Sequence, residues 1–169
     1  PAITAIGIWL FGASATSLMV LIRIGFAIAV LAFAGFAWRL YGYAAGWIAT
    51  LYFMFAPLIH WPATRFHVDI FLIAGAILSL WCLYEGLHRR SIIWGIFSGI
   101  LVALTFLTKE TVILLFPMWA VAWLLFPPYD RRMLKVAGAS ILALVVTLLL
   151  WLAVLHFIVG DVSLILGEN

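Results

Sequence analysis

Charged residues stand far apart in this chain, and the stretches between them are apolar. No Asp, Glu, Lys or Arg occurs in residues 24–38, 40–64, 70–84, 91–108, 111–129 or 136–160. The apolar runs are long and continuous and do not alternate every second residue, which indicates membrane-crossing helices rather than barrel strands. Composition points the same way, with 68% of the 169 residues hydrophobic, 9% charged and a mean hydropathy of +1.28. Soluble domains are nearer half apolar and about a quarter charged, so that class is excluded. Each Asp, Lys or Arg at a bilayer centre costs about 2.5–3.5 kcal/mol, which explains why charge collects between the runs.

The expected fold class is all-α: a polytopic transmembrane helical bundle forming a single domain over residues 1–169, with about six spans and an N-terminal interfacial helix. Residues 1–12 (PAITAIGIWLFG) fall short of the roughly 20 residues a crossing needs and are predicted to lie on the bilayer surface. Spans are predicted at 18–38, 43–59, 66–87, 92–108, 111–126 and 136–159. Pro57 is expected to kink the end of the second. Gly42 with Gly46, and Gly95 with Gly99, are small-xxx-small pairs suited to close helix contact. Cys82, the single cysteine, is expected to be a buried, inert thiol. The chain opens on Pro1 and shows no signal-peptide pattern. The expectation is a segment of a longer membrane protein.

Alternate loops fall on opposite faces, and the charges sort with them. The loops at 39–42, 88–91 and 127–135 carry Arg39, Arg89, Arg90, Arg131, Arg132 and Lys135, with Glu85 and Asp130 nearby. The positive-inside rule makes this face cytoplasmic, and the bacterial inner membrane is the expected location. The other face carries Arg23, Arg65 and Lys109 together with Asp69, Glu110, Asp161 and Glu168. Such a mixture of signs is not that of a simple anchor. Basic residues at two or three per loop are topogenic, so no nucleic-acid partner is expected.

The stretch from His60 to Asp69, HWPATRFHVD, gathers the most polar chemistry between two apolar runs. Asp69 opens the third span and is the candidate catalytic residue. Its other reading is a first-turn acid favoured by the helix macrodipole. Arg65 stands four residues before it, spaced to pair with it or to bind phosphate through its planar fork of donors. His60 and His67 match no zinc spacing, and no metal site is expected from them. Trp9 and Trp61 read as interface-belt aromatics. Lys109 and Glu110 occupy a short turn, where Lys109 can reach an anionic lipid headgroup. Arg23 lies about one turn inside its span, placed either to snorkel or to face the same cavity. No GxSxG, Walker, HExxH or CxxC pattern occurs.

The order of these features resembles the membrane core of GT-C glycosyltransferases that use polyprenyl-phosphate sugars. The protein O-mannosyltransferase and lipid A aminoarabinose transferase branches are the most similar. The matching elements begin with Pro1, Phe11–Gly12, and Ser17 to Arg23. Arg39 to Gly42 (RLYG), the FAPLIHW stretch around Pro57, and Arg65 with Asp69 as R-x-x-x-D follow. Gly95, Gly99 and Leu107–Thr108–Lys109 then approximate G-x-x-x-G-x-x-x-L-T-K, with Pro117 beyond. The resemblance covers residues 1–127. It implies that Asp69 matches the family's second acidic position. Arg65, Lys109, Arg23 and His67 would then bind substrate or lipid phosphate, and a divalent cation is a candidate cofactor. The family's principal acid lies ahead of the segment that matches Pro1, so residues 1–169 alone are expected to be inactive.

The implied function is transfer of a sugar from a polyprenyl-phosphate donor to an acceptor on the extracytoplasmic face. The expected partners are membrane lipid, that donor and other membrane subunits. A competing reading is a non-catalytic transmembrane subunit of a larger complex that keeps only a glycosyltransferase-like scaffold.

Overall fold

The computed structural model describes residues 12, 14–57, 59, 69–108, 115–124 and 130–159. Residues 1–11 of the predicted interfacial helix, His60, Trp61, Arg65, His67, Lys109 and Glu110 lie outside them. Among the described residues these helices follow in chain order: α1 (Ala15–Tyr41), α2 (Tyr43–Phe55), α3 (Asp69–Arg89), α4 (Ile92–Phe106), α5 (Leu115–Leu124) and α6 (Arg131–Val159). No strand occurs among the described residues, and the fold is an all-α membrane bundle. Residues 18–41, 69–89 and 131–157 form helices long and apolar enough to cross a bilayer, while α2 and α4 are shorter apolar helices.

Each hairpin has its own chemistry. Between α1 and α2 only Gly42 breaks the helix, at φ 81°, a left-handed conformation that a residue without Cβ adopts freely. Gly46 then sits so close to the Trp38 backbone that a Cβ would come within 2.8 Å of its nitrogen. Farther along the pair, Phe33 stacks on Phe53 with ring centroids 4.3 Å apart. The Gly42–Gly46 pair therefore divides its labour, one residue turning the chain and the other admitting the neighbouring helix. α2 breaks at Ala56, just ahead of Pro57, and helical backbone resumes at Pro57 and Ile59. Ala56 is extended at ψ 125°, because a following proline disfavours helical backbone in the residue before it.

The α3–α4 turn closes by an N–H from Ser91 to the Gly86 carbonyl at 2.9 Å, around Arg90 at φ 54°. This is the helix-ending motif in which glycine usually takes the left-handed position; here an arginine holds it. α6 begins at Arg131, ahead of the apolar run at Val136. Asp130 caps it, its Oδ1 accepting the N–H groups of Arg132 at 3.0 Å and Met133 at 2.8 Å.

Contacts fix the relative directions of the helices. Ile22 and Ala29 of α1 share a buried cluster with Ile70 and Ala74 of α3, Gly35 faces Trp81, and Arg39 meets Glu85. Residue numbers rise together along that series, so α1 and α3 run parallel. α4 and α6 are also parallel. Gly95 faces the Val136 carbonyl, 2.6 Å from where its Cβ would stand, and Gly99 faces that of Ser140. Between these pairs, α3 and α4 are antiparallel, with Ser98 Oγ donating to the Ser79 carbonyl at 2.7 Å and Gly75 set against Thr105. The contacts thus run from α2 through α1, α3 and α4 to α6, which also meets α3 where Met133 and Val136 pack on Leu83 and Leu87, with α5 beside α3.

Buried hydroxyls are satisfied by backbone carbonyls rather than by one another. Thr50 donates to Gly46, Thr105 to Leu101, and Ser140 to Gly95 across the α4–α6 contact. Where no water is present this is the inexpensive way to place a hydroxyl. Cys82 is buried, as expected.

Candidate functional site

The parallel pair α1/α3 has two ends of different chemistry. At one end, Asp69 is the first residue of α3, an acid in the first turn where the macrodipole favours it. Arg23 lies on an exposed flank of α1 at the same end. Their levels match, because the next-door residues Ile22 and Ile70 pack in one cluster and Gly25 faces Ile70 and Phe71. α4 delivers the chain toward this end: Thr105 lies against Gly75, and Thr108 is the last described residue before Lys109. Of the predicted site residues, then, the structure brings Asp69 and Arg23 to one end of the bundle. Arg65, His67 and Lys109 lie outside the described residues.

The opposite end holds an ion network that sequence reading treated only as loop charge. Glu85 is 3% exposed. Its Oε1 accepts from Arg39 Nε at 2.7 Å, and its Oε2 from Arg89 Nε one turn along α3. The Arg89 guanidinium lies over Trp94, 5.9 Å from the ring centroid. Next to it, Arg90 reaches Asp130 Oδ2 at 2.8 Å. Four helices are tied here: α1 through Arg39, α3 through Glu85, α4 through Trp94 and α6 through Asp130. One signal was available in the sequence. Glu85 lies inside the predicted span 66–87, where an unpaired carboxylate would be costly.

An apolar cavity of about 400 Å³ opens between α3, α5 and α6, lined by Leu83, Trp119, Ala120, Ala137, Ser140, Ile141 and Leu144. It carries no charged group and suits hydrocarbon, not a reacting polar substrate. Among the described residues, no three His, Cys, Asp or Glu side chains gather as metal ligands. Asp69 and Arg23 are the predicted site residues that the described part of the bundle places at one end.

With that arrangement in view, comparison with known families is decisive. Residues 1–157 match the family model described as dolichyl-phosphate-mannose-protein mannosyltransferase. The chain belongs to this family. It is therefore an integral membrane protein of the mannosyltransferase type of glycosyltransferase, a GT-C class whose sugar donor is a polyprenyl phosphate. Comparison with curated proteins and with solved structures gave no match. The match runs past the elements that carry the sequence resemblance, through most of α6. It thus takes in both ends of the bundle.

Proposed function

We propose that this chain forms one wall of the donor site of a glycosyltransferase that moves a sugar from a polyprenyl phosphate to an acceptor hydroxyl. Transfer takes place on the extracytoplasmic face of a bacterial inner membrane, and the loops at 39–42, 88–91 and 127–135 face the cytoplasm. The observation that carries this reading is the polarity of the bundle. Asp69 and Arg23 share one end, and the Arg39–Glu85–Arg89 network with Arg131, Arg132 and Lys135 occupies the other. A basic face belongs on the cytoplasmic side, which leaves the Asp69 end outside.

In this mechanism a carboxylate of the full-length enzyme takes the proton of the acceptor hydroxyl, whose oxygen bonds to the anomeric carbon. The bond from that carbon to the lipid phosphate breaks, and the phosphate leaves with the electron pair. Arg65 and Lys109 bear the negative charge that develops on the departing phosphate, where fixed cations act most strongly in a dry site. Arg23 and His67 are assigned to binding the substrate or its lipid phosphate. Asp69 positions the acceptor, a basic neighbour or a divalent cation. A carboxylate at a helix start is pre-oriented for any of these roles.

The test uses the full-length enzyme. Asp69→Asn and Lys109→Ala should each lower transfer by about a hundredfold or more, with membrane levels of the protein unchanged. Wild-type transfer in both variants would remove the assigned roles. Chelation decides the cation: activity lost with EDTA and restored by magnesium or manganese assigns one to the site, whereas activity retained leaves Asp69 a positioning group only.

A further inference from the structure

Residues 131, 135, 138, 142, 145 and 149 of α6 recur at alternating steps of four and three, so they share one helix face. All six are exposed: Arg131, Lys135, Gly138, Leu142, Val145 and Leu149. The buried face of the same helix, through Val136, Ser140 and Leu144, is the one that meets α4 and its neighbours.

Two features of the exposed strip have no explanation inside the molecule. Cations in the opening turns of a helix oppose its macrodipole, and like charges four apart repel. Yet Arg131 and Lys135 form no ion pair among the described residues. The nearby carboxylate of Asp130 is already engaged by two backbone N–H groups and by Arg90. The second feature is Gly138. A mid-helix glycine weakens a helix, and Gly95 and Gly99 have backbone neighbours that require one. A Cβ at Gly138 would meet nothing within 4 Å, so no neighbouring helix requires its smallness.

Depth and shape supply the explanation. The span 131–157 has 27 residues and at 1.5 Å per residue is about 40 Å long. The hydrocarbon core is only about 30 Å thick, so the charged first turns reach the headgroup layer. Below the two cations comes the dent at Gly138, and below that an apolar track exposed on the outside of the bundle. That is the outline of a phospholipid.

We propose that this strip binds an anionic glycerophospholipid of the surrounding bilayer. Arg131 and Lys135 hold its phosphate, Gly138 admits the glycerol close to the helix backbone, and an acyl chain lies along Leu142, Val145 and Leu149. The purified, delipidated full-length protein is titrated in detergent with phosphatidylglycerol or phosphatidylcholine, and bound lipid is counted by native mass spectrometry. Phosphatidylglycerol should bind in preference. Arg131→Gln and Lys135→Gln should each weaken it about fivefold, equivalent to about 1 kcal/mol per cation. Gly138→Ala, which removes no charge and favours the helix, should weaken both lipids alike. Equal affinity for the two lipids overturns the proposal, and so does unchanged phosphatidylglycerol binding in the double glutamine variant. A purely topogenic role for the cations would give that second result, because insertion is already complete in the purified protein. A polyprenyl phosphate that occupies the strip and resists displacement by phosphatidylglycerol also overturns it.

Discussion

Glu85 is enclosed at one end of the bundle with a guanidinium on each carboxylate oxygen. Removing one member of a buried pair costs about 3–5 kcal/mol because the survivor stays desolvated. Here the survivors are the Arg39 and Arg89 side chains, 41% and 55% exposed, and water can reach them. Glu85→Gln should therefore destabilise by less, about 1–3 kcal/mol, read as a lowered melting temperature in detergent micelles. A melting temperature equal to wild type would mean that the network contributes only to packing. Gly99 makes the opposite kind of demand, for absence rather than charge. Any side chain there drives into the Ser140 carbonyl, and backbone cannot move aside as a flexible side chain can.

At the scale of the element, the α3–α4 turn and the start of α6 act together. Arg90 accepts a left-handed backbone that costs about 1–2 kcal/mol in a residue with a Cβ, and from that position it reaches Asp130. Arg90→Gly should relieve the backbone and break the ion pair at once, so its effect on stability should be small. Its clear signature should be faster hydrogen exchange at the first turn of α6. Unchanged exchange there would show that Asp130 holds the cap unaided. Asp130 also makes this end sensitive to pH. The backbone N–H of Met133 foremost, then the Arg90 charge and the N–H of Arg132, hold its carboxyl below the ordinary value of 3.8, against a desolvation that raises it. A carboxyl depressed on folding contributes stability above its unfolded pKa and loses it as pH falls through the folded value. The contribution should be intact at neutral pH and disappear only as acid drops below about 3.8. Asp130→Ala should remove that part of the acid-induced fall in melting temperature, and a slope identical to wild type would refute the assignment.

Over the whole molecule, the helices make independent contacts at its two edges. Gly46 admits the Trp38 backbone where α1 meets α2, and Gly99 admits Ser140 where α4 meets α6. Neither interface shares a residue with the other, so the losses from Gly46→Leu and Gly99→Leu should add to within about 0.5 kcal/mol in the double variant. A larger departure in a thermal-unfolding cycle would show that the bundle yields as one body. The Glu85 end binds helices to one another through Arg39 and Arg89.

Several properties of this protein were legible in the residues alone. Long uncharged runs require helices in a bilayer, and the sorting of charges by alternate loops put Arg23 with Asp69 and Arg39 with Glu85 before any contact was known. The break at Pro57 was legible from the proline, while its form, an extended Ala56 with helical backbone again at Pro57 and Ile59, was not. Other properties belong to tertiary structure. Glu85, inside a predicted span, and Asp130, in a loop, had no partners in the sequence until parallel pairing set Arg39 beside one and the α3–α4 turn set Arg90 beside the other. Gly95 with Gly99 reads in sequence as a contact pair, but only the packing shows which carbonyls press on it and that Gly138 faces open space. Transfer free energy depends on composition and can be read along a chain, whereas the register between helices depends on which surfaces meet, and that exists only after folding.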